Sequence, residues 1–161
     1  MKSIRKITYL GLCLGIALII FAIEAQIPVF FPGMKLGLAN SVSLFLMYTM
    51  GPTEALIIMI LRTFLGSVFA GNLFGFVFSL AGGLVSNLAM IALKTHYKED
   101  ISIISISVAG GVFHNVGQLL AAATVISDFK IFIYFPLLMA SGMATGAFVG
   151  IVVNELVKRI K

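Results

Sequence analysis

Ile27-Pro28-Val29-Phe30-Phe31-Pro32-Gly33-Met34-Lys35-Leu36-Gly37-Leu38-Ala39-Asn40 interrupts a chain otherwise written in long apolar runs, and its reading decides the architecture. Pro28 and Pro32 fix φ and remove backbone donors, so no helix continues through the segment. Gly33 and Gly37 allow the backbone to turn tightly around a single cation, Lys35. Irregular backbone at membrane depth is tolerated only where protein covers it or where it lines a cavity. The segment is therefore either an ordinary outer loop joining two spans or the lid of a binding site.

The flanking composition calls for a bilayer. Of 161 residues, 60% are hydrophobic and 11% charged, and the mean hydropathy of +1.13 lies far from that of a soluble domain. The length suits one compact transmembrane unit over 1–161, with no room for a soluble catalytic domain, so function must sit between helices. A net charge of +5 would suggest nucleic acid in a soluble protein. Here the cations gather at the ends of apolar runs and follow the positive-inside pattern, so no nucleic-acid partner is expected. One cysteine, Cys13, excludes an intrachain disulfide and a multi-cysteine metal site. The run from Ile7 to Ile23 is longer than a signal-peptide core, with no convincing cleavage site after it, and reads as a retained first span.

About 20 apolar residues cross a hydrocarbon core roughly 30 Å thick. On that measure the chain is an all-α membrane protein, a six-transmembrane-helix bundle with spans near 7–25, 38–50, 53–70, 73–93, 102–126 and 131–157. The second is too short to cross unaided; it thins its surroundings, is shielded by neighbours, or begins inside the preceding loop. Six spans put Lys2, Arg5, Lys6, Lys94, Lys98, Lys158, Arg159 and Lys161 on one side and Lys35 and Lys130 on the other. Both termini are then cytoplasmic. Small-residue stripes (Gly11 and Gly15; Gly142, Gly146 and Gly150) allow close helix packing, either within the bundle or, on the first helix, against a partner.

Polar residues within the spans carry the functional expectation. Arg62 falls near mid-membrane, where a cation costs at least about 2.5 to 3.5 kcal/mol on insertion scales and demands a partner. That partner is either an internal acid, Glu24 or Glu54, or a ligand carboxylate or phosphate matched by the guanidinium fork. His114 and Gln118 share a helical face, with Asn115 beside them and Gly110, Gly111, Gly117 and Ala121 keeping bulk away. They form either a binding wall or interhelical glue. Gln26, Asn40, Asn72, Ser79, Thr124 and Ser141 complete an outer-half set that, with Lys35, Arg62, His114 and Gln118, outlines a pocket. There is no nucleotide-binding loop, Gly-x-Ser-x-Gly elbow, His-Glu-x-x-His helix or paired aspartate-rich magnesium motif. The sequence therefore predicts a binder and no enzyme, with no cofactor.

Pro32-Gly33-Met34-Lys35-Leu36-Gly37-Leu38-Ala39-Asn40, Arg62-Thr63-Phe64-Leu65-Gly66-Ser67, Ser79-Leu80-Ala81-Gly82-Gly83 and His114-Asn115-Val116-Gly117-Gln118 resemble, in that order, the Gx transporter family. This family is also labelled heptaprenyl diphosphate synthase component I, and the resemblance covers nearly the whole chain. The family is similar to the substrate-binding S components of energy-coupling factor (ECF) transporters. The likeness implies an outward pocket in a prokaryotic cell membrane and a first helix that docks on a coupling (T) subunit served by two ATPase subunits. Carried onto this chain, it assigns substrate binding to Lys35, Asn40, Arg62, His114, Asn115 and Gln118. It assigns docking to Gly11 and Gly15, where S components usually show Ala-x-x-x-Ala. The implied function is capture of a small anionic or amphipathic solute, such as a vitamin, flavin, quinone precursor or isoprenoid precursor. The alternative is a non-catalytic membrane subunit of polyprenyl diphosphate or quinone biosynthesis.

Overall fold

The computed structural model describes residues 3–26, 37–98 and 100–160. Six α-helices and one 3-10 turn make up the described residues, with no strand among them. They are α1 (Ser3–Glu24), α2 (Asn40–Thr49), α3 (Pro52–Phe69), α4 (Leu73–Tyr97), α5 (Ile103–Ile126) and α6 (Phe135–Ile160), the last preceded by the 3-10 turn Phe129–Tyr134. All but α2 are long and apolar enough to cross a membrane, which makes this a multi-pass membrane protein.

The boundaries follow local chemistry. Pro52 opens α3, where its missing donor is harmless. Asn72 caps α4 by accepting from the Gly75 N–H at 2.7 Å, and Ser102 caps α5 by accepting from the Ser105 N–H at 3.0 Å. The last helix begins later than the apolar run suggests. Asp128 accepts from the Lys130 N–H at 2.8 Å and starts a 3-10 turn, and regular helix begins only at Phe135 with Pro136 in its first turn. At the other ends, α1 and α4 run past the predicted spans, because Arg5, Lys6 and Lys94 are good helix formers that extend each helix beyond its apolar stretch.

The 10 residues of α2 give a helix about 15 Å long, half of a hydrocarbon core. It survives because it is enclosed: Asn40, Val42, Ser43, Leu44, Leu46 and Met47 are all buried. Its C-terminal end lies beside that of α4, where Lys94 Nζ donates to the Met47 carbonyl at 2.5 Å. The start of α1 lies beside the start of α3, joined by a Lys6–Glu54 ion pair at 2.5 Å. Counting from that level, Asn40 at the far end of α2 stands at about mid-depth. Arg62 is some 15 Å up α3 and His114 some 17 Å up α5, so all three share one height.

Helix α5 has its largest interfaces with α4 and α6. Gly142 packs against Gly111, Gly146 against Ser107 and Val108, and Gly150 against Ile104, so the α6 stripe serves the bundle itself. One apolar core joins α1, α2, α3 and the lower parts of α4 to α6. A second, of Phe78, Leu119, Ala122, Ala123 and Ile131, fills the opposite end.

Candidate functional site

Mid-depth polar groups are gathered where α2 begins. Gly37, in the left-handed region at φ +83°, turns the chain into the short helix. Without support, the backbone N–H groups at that helix start would be unsatisfied in a low-dielectric setting. The Glu24 carboxylate at the end of α1 supplies the support, accepting from the Gly37 N–H and, at 3.3 Å, from the Ala39 N–H. A buried anion at a helix N-terminus is favoured by the helix dipole. Glu24 is thereby committed to holding the chain entry of α2 inside the bundle.

Arg62 is 4% exposed, and its Nη2 donates to Asn40 Oδ1 at 2.9 Å. Since a guanidinium can only donate, Asn40 must present its oxygen to Arg62 and its NH2 to the other side. On that side Asn40 Nδ2 lies 3.1 Å from His114 Nδ1, which makes Nδ1 the acceptor and places the ring proton on Nε2. The three side chains thus form a directional relay from a cation through an amide to an imidazole. Arg62 is not salt-bridged to an acid among the described residues: Glu54 is held by Lys6, and Glu24 acts on Arg62 by charge at longer range. Arg62 Nε has no hydrogen-bond partner among the described residues. A buried guanidinium with one occupied nitrogen and an open donor is what a carboxylate or phosphate would complete.

Gln118 is fully buried one turn above His114 on the same face of α5. Both lie against Gly82 of α4, where a Cβ would come within 2.7 Å of Gln118 Cγ and 3.0 Å of His114 Cε1. Beside Asn40, a small cavity of about 20 Å³ is bounded by Gly37, Ser86, Ser107, Gly110 and Thr145. That is room for one water molecule. Ser86 Oγ borders it with no hydrogen-bond partner among the described residues.

The structure brings Asn40, Arg62, His114 and Gln118 together and separates two others. Asn115, about 100° around α5 from His114, donates to the Leu138 carbonyl of α6 at 2.6 Å and is a helix–helix brace. Asn72 is exposed at the start of α4 and acts as its cap. Lys35, like Phe30 and Phe31, lies outside the described residues. The group the sequence underrates is Glu24. A carboxylate at the end of the first apolar run, thirteen residues before a glycine that opens a half-length helix, was the available signal. Among the described residues, Gly11 and Gly15 have nothing within 4 Å of where a Cβ would stand, unlike the glycines of α6.

A scan against protein-family models matches residues 13–156 to the family described as heptaprenyl diphosphate synthase component I. No curated protein and no solved structure matches the chain.

Proposed function

The chain belongs to the heptaprenyl diphosphate synthase component I family, and from that premise we propose that it is the substrate-binding component of an ECF-type ATP-driven importer, capturing a small organic anion from outside the cell. The observation that carries this reading is Arg62: a guanidinium buried at mid-depth, hydrogen-bonded to the neutral Asn40 and with an Nε unpartnered among the described residues. Such a cation is costly in a bilayer and is typical of a ligand pathway. An anion entering beside α2 takes over Arg62 Nη2 and Nε in a bidentate pair, while Asn40, His114 and Gln118 turn their donors to its polar edges. The cavity beside Asn40 holds about one water, so a solute seated there requires α2 to shift. We read the chain as six membrane-embedded helices with both termini cytoplasmic. Arg5, Lys6, Lys94, Lys98, Lys158 and Arg159 then lie on the cytoplasmic side. The uncovered Gly11 and Gly15 face suits close approach by a coupling-subunit helix. The chain itself performs no catalysis in this scheme; two ATPase subunits supply the energy.

The family description favours a second reading, a non-catalytic membrane subunit that accompanies a prenyl diphosphate synthase. One set of measurements separates the two. Full-length protein purified in mild detergent is analysed by mass spectrometry for a copurifying solute and titrated calorimetrically with a flavin mononucleotide, a prenyl diphosphate and an aromatic carboxylate. Saturable binding of one anion by the chain alone, and ATP-dependent uptake once coupling and ATPase subunits are added, supports the importer. Gly11→Leu is expected to leave solute binding intact and to abolish that uptake. Faster prenyl transfer by a soluble synthase on adding the chain, with no saturable solute binding, refutes the importer in favour of the second reading.

A further inference from the structure

Helices α1 and α6 flank α2 without forming a substantial interface with each other. Between them runs a groove of about 360 Å³, floored by α2 at Val42 and Phe45 and apolar almost throughout. Tyr9, Leu12 and Ile16 line it from α1, and Val152 and Leu156 from α6. The two lining stripes end alike. Arg5 precedes Tyr9 by one turn on the same face of α1, and Arg159 follows Val152 and Leu156 at the i+7 and i+3 positions of α6. Both arginines are exposed at the end of the groove marked by Tyr9 and Ile160. Their neighbours are already paired, Lys6 with Glu54 and Lys158 with Glu155. Neither Arg5 nor Arg159 has an acidic partner within salt-bridge distance among the described residues.

From Tyr9 to Ile20 the groove follows eleven residues of α1, about 16 Å. That is the depth of a single leaflet of a core roughly 30 Å thick. We infer that this groove is a binding site for one anionic phospholipid, its acyl chain lying between α1 and α6 and its phosphate held between Arg5 and Arg159. An exposed arginine just beyond the end of each lining stripe matches a phosphate diester attached to a chain of that length. A zwitterionic lipid fits the same channel but gains less from the pair. The site shares no residue with the Arg62 cluster, so it stands whether or not that cluster binds a solute.

The test uses full-length protein in mild detergent, equilibrated with mixed micelles of phosphatidylglycerol and phosphatidylcholine, with native mass spectrometry reading the lipid retained. Wild type is expected to retain one phosphatidylglycerol preferentially. Arg5→Gln and Arg159→Gln each reduce that preference roughly fivefold, and the double variant about twenty-five-fold. These positions are exposed, and an unchanged circular dichroism spectrum checks that the fold is kept. Val152→Trp fills the channel and is expected to lower retention of both lipids. Equal retention of the two lipids by wild type, an undiminished preference in the double variant, or full occupancy in Val152→Trp overturns the proposal. Displacement of phosphatidylglycerol by equimolar farnesyl diphosphate, in wild type but not in Val152→Trp, likewise overturns it by assigning the groove to a prenyl ligand.

Discussion

Replacing Arg62 with methionine separates a cation kept for a ligand from one kept for the fold. Methionine has a similar length and no charge, so the change relieves the roughly 2.5 to 3.5 kcal/mol that a mid-membrane arginine costs on insertion scales. Against this, Asn40 Oδ1 loses its donor at 2.9 Å, and an orphaned buried acceptor costs about 1 to 3 kcal/mol. The difference ranges from about half a kcal/mol destabilising to 2.5 stabilising. Arg62→Met should therefore melt no more than a couple of degrees below wild type and up to about 10 °C above it, at about 2 to 4 °C per kcal/mol. Cys13 supplies the assay: it is the single cysteine, 6% exposed at the base of the α1–α6 groove, and its thiol reacts much faster with a maleimide dye once the protein unfolds. In the same preparation the anion identified by copurification should bind ten- to a hundred-and-fiftyfold more weakly, the loss of a charged hydrogen bond worth about 1.5 to 3 kcal/mol. A melting point lowered by 10 °C or more, together with unchanged anion affinity, would refute the reasoning and make Arg62 a structural brace.

Two further outcomes follow from the packing. Gly111→Ala puts a methyl group 2.1 Å from the Gly142 carbonyl oxygen, a backbone atom that cannot swing away, so α5 and α6 must separate. Destabilisation at or above the usual 1 to 3 kcal/mol of overpacking is expected by the Cys13 assay, whereas Gly11→Ala, with open space around it, should melt like wild type. Asn115→Ala removes a bond to the Leu138 carbonyl, and Asn72→Ala removes a helix cap. Each should lower stability, the first by about 0.6 kcal/mol and the second by about 0.5 to 2, without altering anion affinity. His114→Ala should weaken binding; equal losses in calorimetric titrations of all three variants would contradict the division of these residues into site and scaffold.

Much of the architecture was legible because bilayer chemistry is written one residue at a time. Five long apolar helices follow from hydropathy and length alone, and the shortness of the 38–50 run was visible in the spacing of its flanking Gly and Pro. Helix ends were read less well. The 3-10 turn at Phe129–Tyr134 is as apolar as the helix it precedes, so hydropathy cannot mark the boundary, while Asp128 and Pro136 do. In the site, the grouping of His114 with Gln118 follows from helical periodicity. The removal of Asn115 from that group depends on which neighbour occupies the adjoining face, and only the packing of α6 decides it.

By itself the sequence determined that this chain lives in a membrane, that its charges cluster at helix ends, and that Arg62 requires company at mid-depth, since each of these is a transfer energy of a residue and its near neighbours. Only the tertiary structure decided what that company is. Glu24 is drawn away to the N–H groups that begin α2, Glu54 is taken by Lys6, and Asn40 is brought to the height of Arg62 because α2 is half a membrane long. Those choices depend on helix lengths and relative heights set by packing between distant segments, which no local pattern encodes.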